Sequence, residues 1–349
     1  MAAIWVAIFH GALVGLFPNE SSLVKSFVDI GYAGVDVFFV ISGVIMAHST
    51  KNIPSKSFTA GAFFLTRFSR IYSGWWPVML FYVIFFEMTN QLGPQVNLLA
   101  SFFLYFKNPA QLINVATWSL MFELYFYTII SISLLFKRQY RQYFLILLFT
   151  FLLLINIYLF IIRPTESVAS EINWIQIFYI APIVAEFFMG YFLYQYIQKN
   201  PRASCKIWGA IALILIFLTA YLAPHFLDRP NGLAGFYYWP ERTVLIGGIS
   251  MTIVGMALKL PSPQKNIALI LTKFGSYSYS IYLLHILAFN MIFTLLPWSS
   301  FNNNYRIVIS VATMAVLLLA SAVYYHCVEH PVYIFLCNKI NRIMSRANQ

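Results

Sequence analysis

The chain reads as an all-α protein, a polytopic bundle of about ten membrane-crossing helices with both termini on the cytoplasmic side. Three observations predict this class. Apolar residues make up 60 % of the 349 residues and charged ones only 9 %, whereas a soluble domain carries charge on roughly a quarter of its residues. The apolar residues come in continuous runs of about 20, the length that spans a bilayer as a helix. They do not form the alternating segments, about ten residues each, of a membrane barrel. The third observation is that basic residues collect in every second loop.

The runs lie near 1–17, 29–48, 63–88, 117–136, 143–162, 174–198, 207–223, 243–258, 274–295 and 306–330. With the N-terminus inside, Lys25, Lys107, Arg163, Arg229, Arg242 and Arg306 face outward, and the other sixteen of the 22 basic residues face inward. That asymmetry follows the positive-inside rule. The net charge of +11 is therefore an orientation signal, and nucleic acid has no place as a partner. Cys205, Cys327 and Cys337 fall on or near the inner face and lack metal-ligand spacing, so no metal site is expected.

The first run is apolar from Met1, short for a span and without a basic flank. It reads as a helix whose beginning lies upstream of Met1. The chain reads as a single transmembrane domain, 1–349, with no fused soluble domain and no inverted repeat of the transporter kind. Two connections are long. Residues 89–116 contain the apolar piece Asn97 to Phe106, too short to span and read as re-entrant. The outer loop 224–242 carries Phe236, Tyr237, Tyr238 and Trp239, which suit either a sugar face or an interfacial aromatic belt.

Any chemistry must therefore sit within the bundle or at its edges. A charged group at the centre of a span costs about 2.5–3.5 kcal/mol, and such groups usually face a cavity or a partner. His10, Asp36, Glu123, Glu186 and His285 lie within the runs, with Glu87 and Glu329 near run ends. Histidine is the side chain that takes and returns a proton near neutrality. His10 stands in AIFHGALVG among small residues that allow close approach, and His285 stands in SYSIYLLHILAF. Each could equally be a satisfied interhelical hydrogen bond.

In FLTRFSRIYSGWW, Arg67 and Arg70 are one turn apart on the inner end of the third run. Paired guanidinium groups suit bidentate phosphate binding, and they also suit a positive-inside anchor. The segment GYAGVDVFFVISGVIM holds Asp36 and Ser42, and WSLMFELYFY holds Trp118, Ser119 and Glu123. Ser119 and Glu123, four apart, share a helix face, although such a pair can also be a cap. In YYHCVEHPVY, Glu329 stands two before Pro331, where the helix should break or kink.

Taken in order, these pieces resemble the acyltransferase 3 family of bacterial membrane acyltransferases that modify surface glycans. The pieces are the histidine of the first span, GVDVFFVISG at 34–43, the R-x-x-R of Arg67 and Arg70, WSLxxExxFY at 118–127, SYSIYLLH at 278–285 and VExP at 328–331. The resemblance implies an acyl donor, usually acetyl-CoA on the cytoplasmic side, and a hydroxyl acceptor on a glycan or lipid-linked glycan. It implies a multi-pass protein of the bacterial inner membrane, in contact with lipid. It makes His10 the catalytic histidine, Arg67 and Arg70 the coenzyme A contacts, and Glu123 and Glu329 acidic members of the site. Asp36, Ser42, Trp118, Ser119 and His285 are further candidates.

Three departures from the family pattern stand out. The basic residue expected eleven positions before the histidine would fall before Met1. RIYP is here RIYS, with Ser73 for proline, and WSLSVE is here WSLMFE. The expected mechanism has His10 as general base or acyl-accepting nucleophile, with Glu123 orienting its imidazole. Ser42, Ser119, Tyr277 and Tyr279 are candidate oxyanion donors. The competing reading is a proton-coupled exporter of a glycan or lipid-linked intermediate, in which the buried His and Glu residues form a proton relay.

Overall fold

A computed structural model of the chain describes residues 2–17, 25, 28–54, 56–105, 109–162, 178–201, 204–222, 240–261 and 263–347. Every regular element among the described residues is helical. The long helices are α1 (Ala2–Leu13), α2 (Ala33–Thr50), α3 (Ser57–Met88), α4 (Trp118–Ser133), α5 (Arg138–Ile162), α6 (Val184–Lys199), α7 (Cys205–Leu222), α8 (Pro240–Lys259), α9 (Lys265–Leu295) and α10 (Asn303–Tyr324). Helix α10 continues through a π-helical turn, Tyr325–Glu329, into His330–Ala347. Among the described residues, nine helices are long and apolar enough to cross a membrane, and α1 is shorter.

Helix α1 is short because its sequence stops it. Gly15 adopts φ +76°, the left-handed conformation that suits glycine. The Leu16 N–H then donates to the Gly11 carbonyl at 2.8 Å and the Gly15 N–H to the Ala12 carbonyl at 2.9 Å. This pair of bonds is a Schellman cap.

The residues cluster into two compact units. The first comprises Met1–Gly34, Ala62–Met121 and Pro263–Gln349, and the second Val35–Gly61 and Phe122–Ser262. In the first unit α1, α9 and α10 share a core of Ala7, Leu16, Ile281, Phe289 and Leu317. Gly31 and Gly34 lie against α1, where a Cβ would meet the Trp5 and Ala2 carbonyls at 2.8 Å. In the second unit α2, α6 and α8 pack through Val40, Val44, Leu193, Ile197 and Val254.

Two prolines sit inside long helices of the first unit. Pro77 in α3 lacks the N–H that a regular helix would offer to the Ser73 carbonyl. Nearby carbonyls of α3 are taken by side chains: Tyr279 donates to Ile71 at 2.7 Å and Tyr324 to Gly74 at 2.6 Å. Partners on neighbouring helices are what make an intramembrane proline tolerable. Pro331 was expected to break or kink the last helix. The α-helical ladder is interrupted just before the proline by a π turn, Tyr325–Glu329, and helical backbone resumes from His330 to Ala347.

The 89–116 connection folds back along α3. Asn97 caps a short helix, Leu98–Phe103, by accepting from the Ala100 N–H at 2.8 Å. At its other end three aromatic residues of α3 take successive orphan carbonyls. Trp75 donates to Ser101 at 2.7 Å, Trp76 to Phe102 at 3.1 Å and Tyr72 to Phe103 at 2.5 Å. Trp76 is twelve residues before the end of α3 at Met88, so the segment reaches about 18 Å back along the helix. That return places the start of α4 beside the middle of α9, where Asn114 donates to the Leu283 carbonyl at 3.3 Å.

Candidate functional site

The first unit brings His10 of α1 onto His285 of α9. Nε2 of His285 lies 3.0 Å from Nδ1 of His10, and the rings stack with centroids 5.1 Å apart and planes at 29°. The proton positions follow from the partners. Nδ1 of His285 lies 2.7 Å from the Tyr282 carbonyl oxygen, and a carbonyl only accepts, so this nitrogen carries the hydrogen. In a neutral imidazole Nε2 is then a lone pair. His10 must therefore donate from Nδ1, which leaves Nε2 of His10 as the basic nitrogen. His285 is fully buried and His10 half-buried, so the basic nitrogen belongs to the more accessible ring.

Tyr282 also anchors the start of α4. Its hydroxyl donates to the Ala116 carbonyl at 2.5 Å, and Ser119 Oγ lies 2.6 Å from the Tyr282 hydroxyl oxygen. With the tyrosine hydrogen committed to Ala116, Ser119 is the donor in that pair. Ser119 and the histidine pair thus meet at Tyr282, one through its hydroxyl and the other through its carbonyl. Trp118 is the first residue of α4.

Further along α9 lies the arginine end of the unit. Arg70 donates to Glu329 through Nη1, and Ser280 donates to the other oxygen of the same carboxylate. Glu329 is fully buried in the π turn of the last helix, while the Arg70 side chain is 32 % exposed. The Arg70 guanidinium also lies 5.3 Å from the Tyr279 ring and 5.9 Å from that of Tyr333. Arg67, one turn away on α3, lies 5.5 Å over the Phe63 ring. Ser280 and His285 are five positions apart on α9, a rise of about 7.5 Å.

The second unit contains the remaining predicted residues. Glu123 is buried and accepts from Ser42 at 3.3 Å and from Tyr127 one turn along α4. Glu123 was the expected partner of His10; within the first unit His10 is met by the imidazole of His285. Asp36 is fully buried and accepts two bonds from Arg242, Nε to Oδ1 at 3.0 Å and Nη2 to Oδ2 at 2.7 Å. Arg242 was read as an outer-loop cation, yet it is 3 % exposed. The signal was available in principle: an aspartate inside an apolar helix needs a cation, and Arg242 borders the run that follows it.

The candidate oxyanion donors outside the histidine site are already engaged. Ser42 donates to Glu123, Tyr279 to the Ile71 carbonyl, and Tyr277 pairs with Nε2 of His326 at 3.0 Å. Glu87 is exposed near the end of α3. The aromatic run Phe236 to Trp239 lies outside the described residues, as do Lys107, Arg163 and Arg229. Among the described residues no group of three or more His, Cys, Asp or Glu is placed to hold a metal ion.

Comparison with known proteins bears on what this geometry serves. A family model described as an acyltransferase domain matches residues 1–325. The exopolysaccharide production protein ExoZ of Rhizobium meliloti (strain 1021) is 28 % identical over 275 residues, which cover 75 % of this chain and 78 % of that protein. No solved structure matches the chain at comparable significance.

Proposed function

This chain belongs to the acyltransferase 3 family, and from that premise we propose that it acylates a polysaccharide at the bacterial cytoplasmic membrane. The donor is acyl-CoA from the cytoplasmic side, acetyl-CoA in the first instance. The acceptor is a hydroxyl of a cell-surface or lipid-linked polysaccharide. The printed name of the ExoZ relative, an exopolysaccharide production protein, supports this class of acceptor.

The observation that carries the reading is the chain of bonds from the Tyr282 carbonyl through His285 to His10. The tautomers that these bonds imply leave Nε2 of His10 without a hydrogen, which supports a general-base role. In the proposed reaction Nε2 of His10 takes the proton of the acceptor hydroxyl as its oxygen attacks the thioester carbonyl. The imidazolium so formed keeps donating from Nδ1 to the lone pair of His285, a charge-assisted bond stronger than the neutral one it replaces. Collapse of the tetrahedral intermediate breaks the carbon–sulfur bond, and the departing thiolate recovers the proton from His10. Ester and coenzyme A thiol are the products, and no proton is gained or lost overall.

Arg67 and Arg70 are the proposed contacts for the phosphates of the donor. Glu329 limits that role for Arg70, since a phosphate must bind a guanidinium already in contact with a carboxylate. The short rise along α9 from Ser280 to His285 suits a donor whose phosphates rest near the arginines and whose long pantetheine arm reaches His10.

Membranes containing the protein, incubated with acetyl-CoA labelled in the acetyl group, test the proposal. Label should enter glycan with the wild type and not with His10→Ala. Equal incorporation by both would remove His10 from the reaction, and mass analysis of glycan from a deletion strain would identify the acyl group.

A further inference from the structure

The second unit holds a buried carboxyl that the acyl transfer proposed above does not involve. Glu186, near the start of α6, is fully buried. Neither of its carboxyl oxygens has a hydrogen-bond partner of good geometry among the described residues. Its polar neighbours are Asp36 on α2 and Arg242 and Thr243 on α8. Asp36 and Arg242 are the charged groups among them, and Glu241 precedes Arg242 along the chain.

Asp36 and Arg242 already satisfy one another through their two bonds. One guanidinium therefore stands against two carboxyls. Thr243 is a second, independent sign: its hydroxyl is buried and lacks a partner among the described residues. Thr243 opens a π-helical turn, Thr243–Gly247, and that turn presses Gly247 onto the glutamate. A Cβ on Gly247 would lie 2.9 Å from Oε1 of Glu186. The widened turn and the glycine together shape the space that the carboxyl fills.

An ionised carboxylate without donors in a dry interior is among the costliest groups to bury. Two carboxylates that share a site repel one another, and a single cation offsets the charge of only one of them. We propose that Glu186, Asp36 and Arg242 form a buried proton-binding site, in which Asp36 is the ionised partner of Arg242 and Glu186 carries the proton. The protonated carboxyl becomes a donor, with the Asp36 carboxylate and the Thr243 hydroxyl as its neighbouring acceptors. An alkali cation is the competing occupant, and it suits the site less well because a guanidinium already stands there. The site is independent of the acyl transfer proposed above.

Infrared spectroscopy of the full chain in neutral-lipid nanodiscs, in potassium or sodium buffer, tests this. The wild type should show the carbonyl stretch of a protonated carboxylic acid, and Glu186→Gln should lose it while melting at the wild-type temperature. Asp36→Asn should also lose the band, because Glu186 then ionises opposite Arg242. Absence of the band in the wild type would overturn the proposal, as would its persistence in Glu186→Gln. A sodium-dependent rise in wild-type melting temperature that Glu186→Gln abolishes would assign the site to a cation and overturn it equally.

Discussion

At the scale of the residue, a histidine can act as a base only through a nitrogen that lacks a hydrogen, and here that choice is made by a neighbour. Loss of His10 should lower transfer by about 10²–10⁴-fold, the usual contribution of general-base catalysis. His285 acts through His10 and is a positioning residue. His285→Leu should lower kcat while leaving KM for acyl-CoA unchanged. His285→Gln, whose amide oxygen can still accept from Nδ1 of His10, should recover part of the rate. Equal kcat for the Leu and Gln variants would show that packing, not acceptance, is what His285 supplies. At the arginine end, Glu329→Ala leaves Arg70 and Ser280 without their shared acceptor. The loss should cost about 1–3 kcal/mol, read as a lower melting temperature in detergent.

At the scale of the element, the helices of each unit are held by close backbone contact and by side chains that repair broken ladders. In the second unit α2 and α6 cross at a pair of glycines. A Cβ on Gly190 would lie 1.9 Å from the Val40 carbonyl oxygen, and one on Gly43 would lie 2.1 Å from that of Phe187. Small residues at such crossings let helix backbones approach. Gly190→Ala forces backbone from backbone and should destabilise by about 1–3 kcal/mol or more, visible as reduced thermal stability of purified protein. Helix α6 carries Glu186 and α2 carries Asp36, so the same variant should disturb the carboxyl pair. In the first unit, Trp75→Phe removes the donor to the Ser101 carbonyl. The fold-back segment should then loosen at a cost of about 1 kcal/mol, measured as faster hydrogen exchange at 98–103.

At the scale of the whole molecule, the distribution of basic residues predicts which side of the membrane sees the donor. Reporter fusions after residues 51–56, 137–141 and 199–206 should report a cytoplasmic location, and a fusion within 302–306 the opposite side. In sealed vesicles of known orientation, acetyl-CoA should drive transfer only from the face that exposes the 51–56 loop. Transfer from the other face would reverse the assignment of Arg67 and Arg70 to the donor. The exposed apolar side chains of α7, among them Leu213, Ile214, Phe217 and Tyr221, form a surface that lipid would cover.

Hydropathy is a local property, and whatever depends on it was legible in the chain. The apolar runs place the helices, and the ionisable residues inside the runs mark the positions that need partners. The ordered motifs, from His10 to Pro331, pointed to the acyltransferase family. Partnership is a different matter. His10 and His285 are 275 positions apart, Arg70 and Glu329 are 259 apart, and Asp36 and Arg242 are 206 apart. Nothing in a helix period links such positions, so the His10–His285 pair went unread and Arg242 was left in a loop. Only the packed helices decide which buried charge meets which, because desolvated groups must be satisfied by whatever the fold brings within 3 Å or so of them.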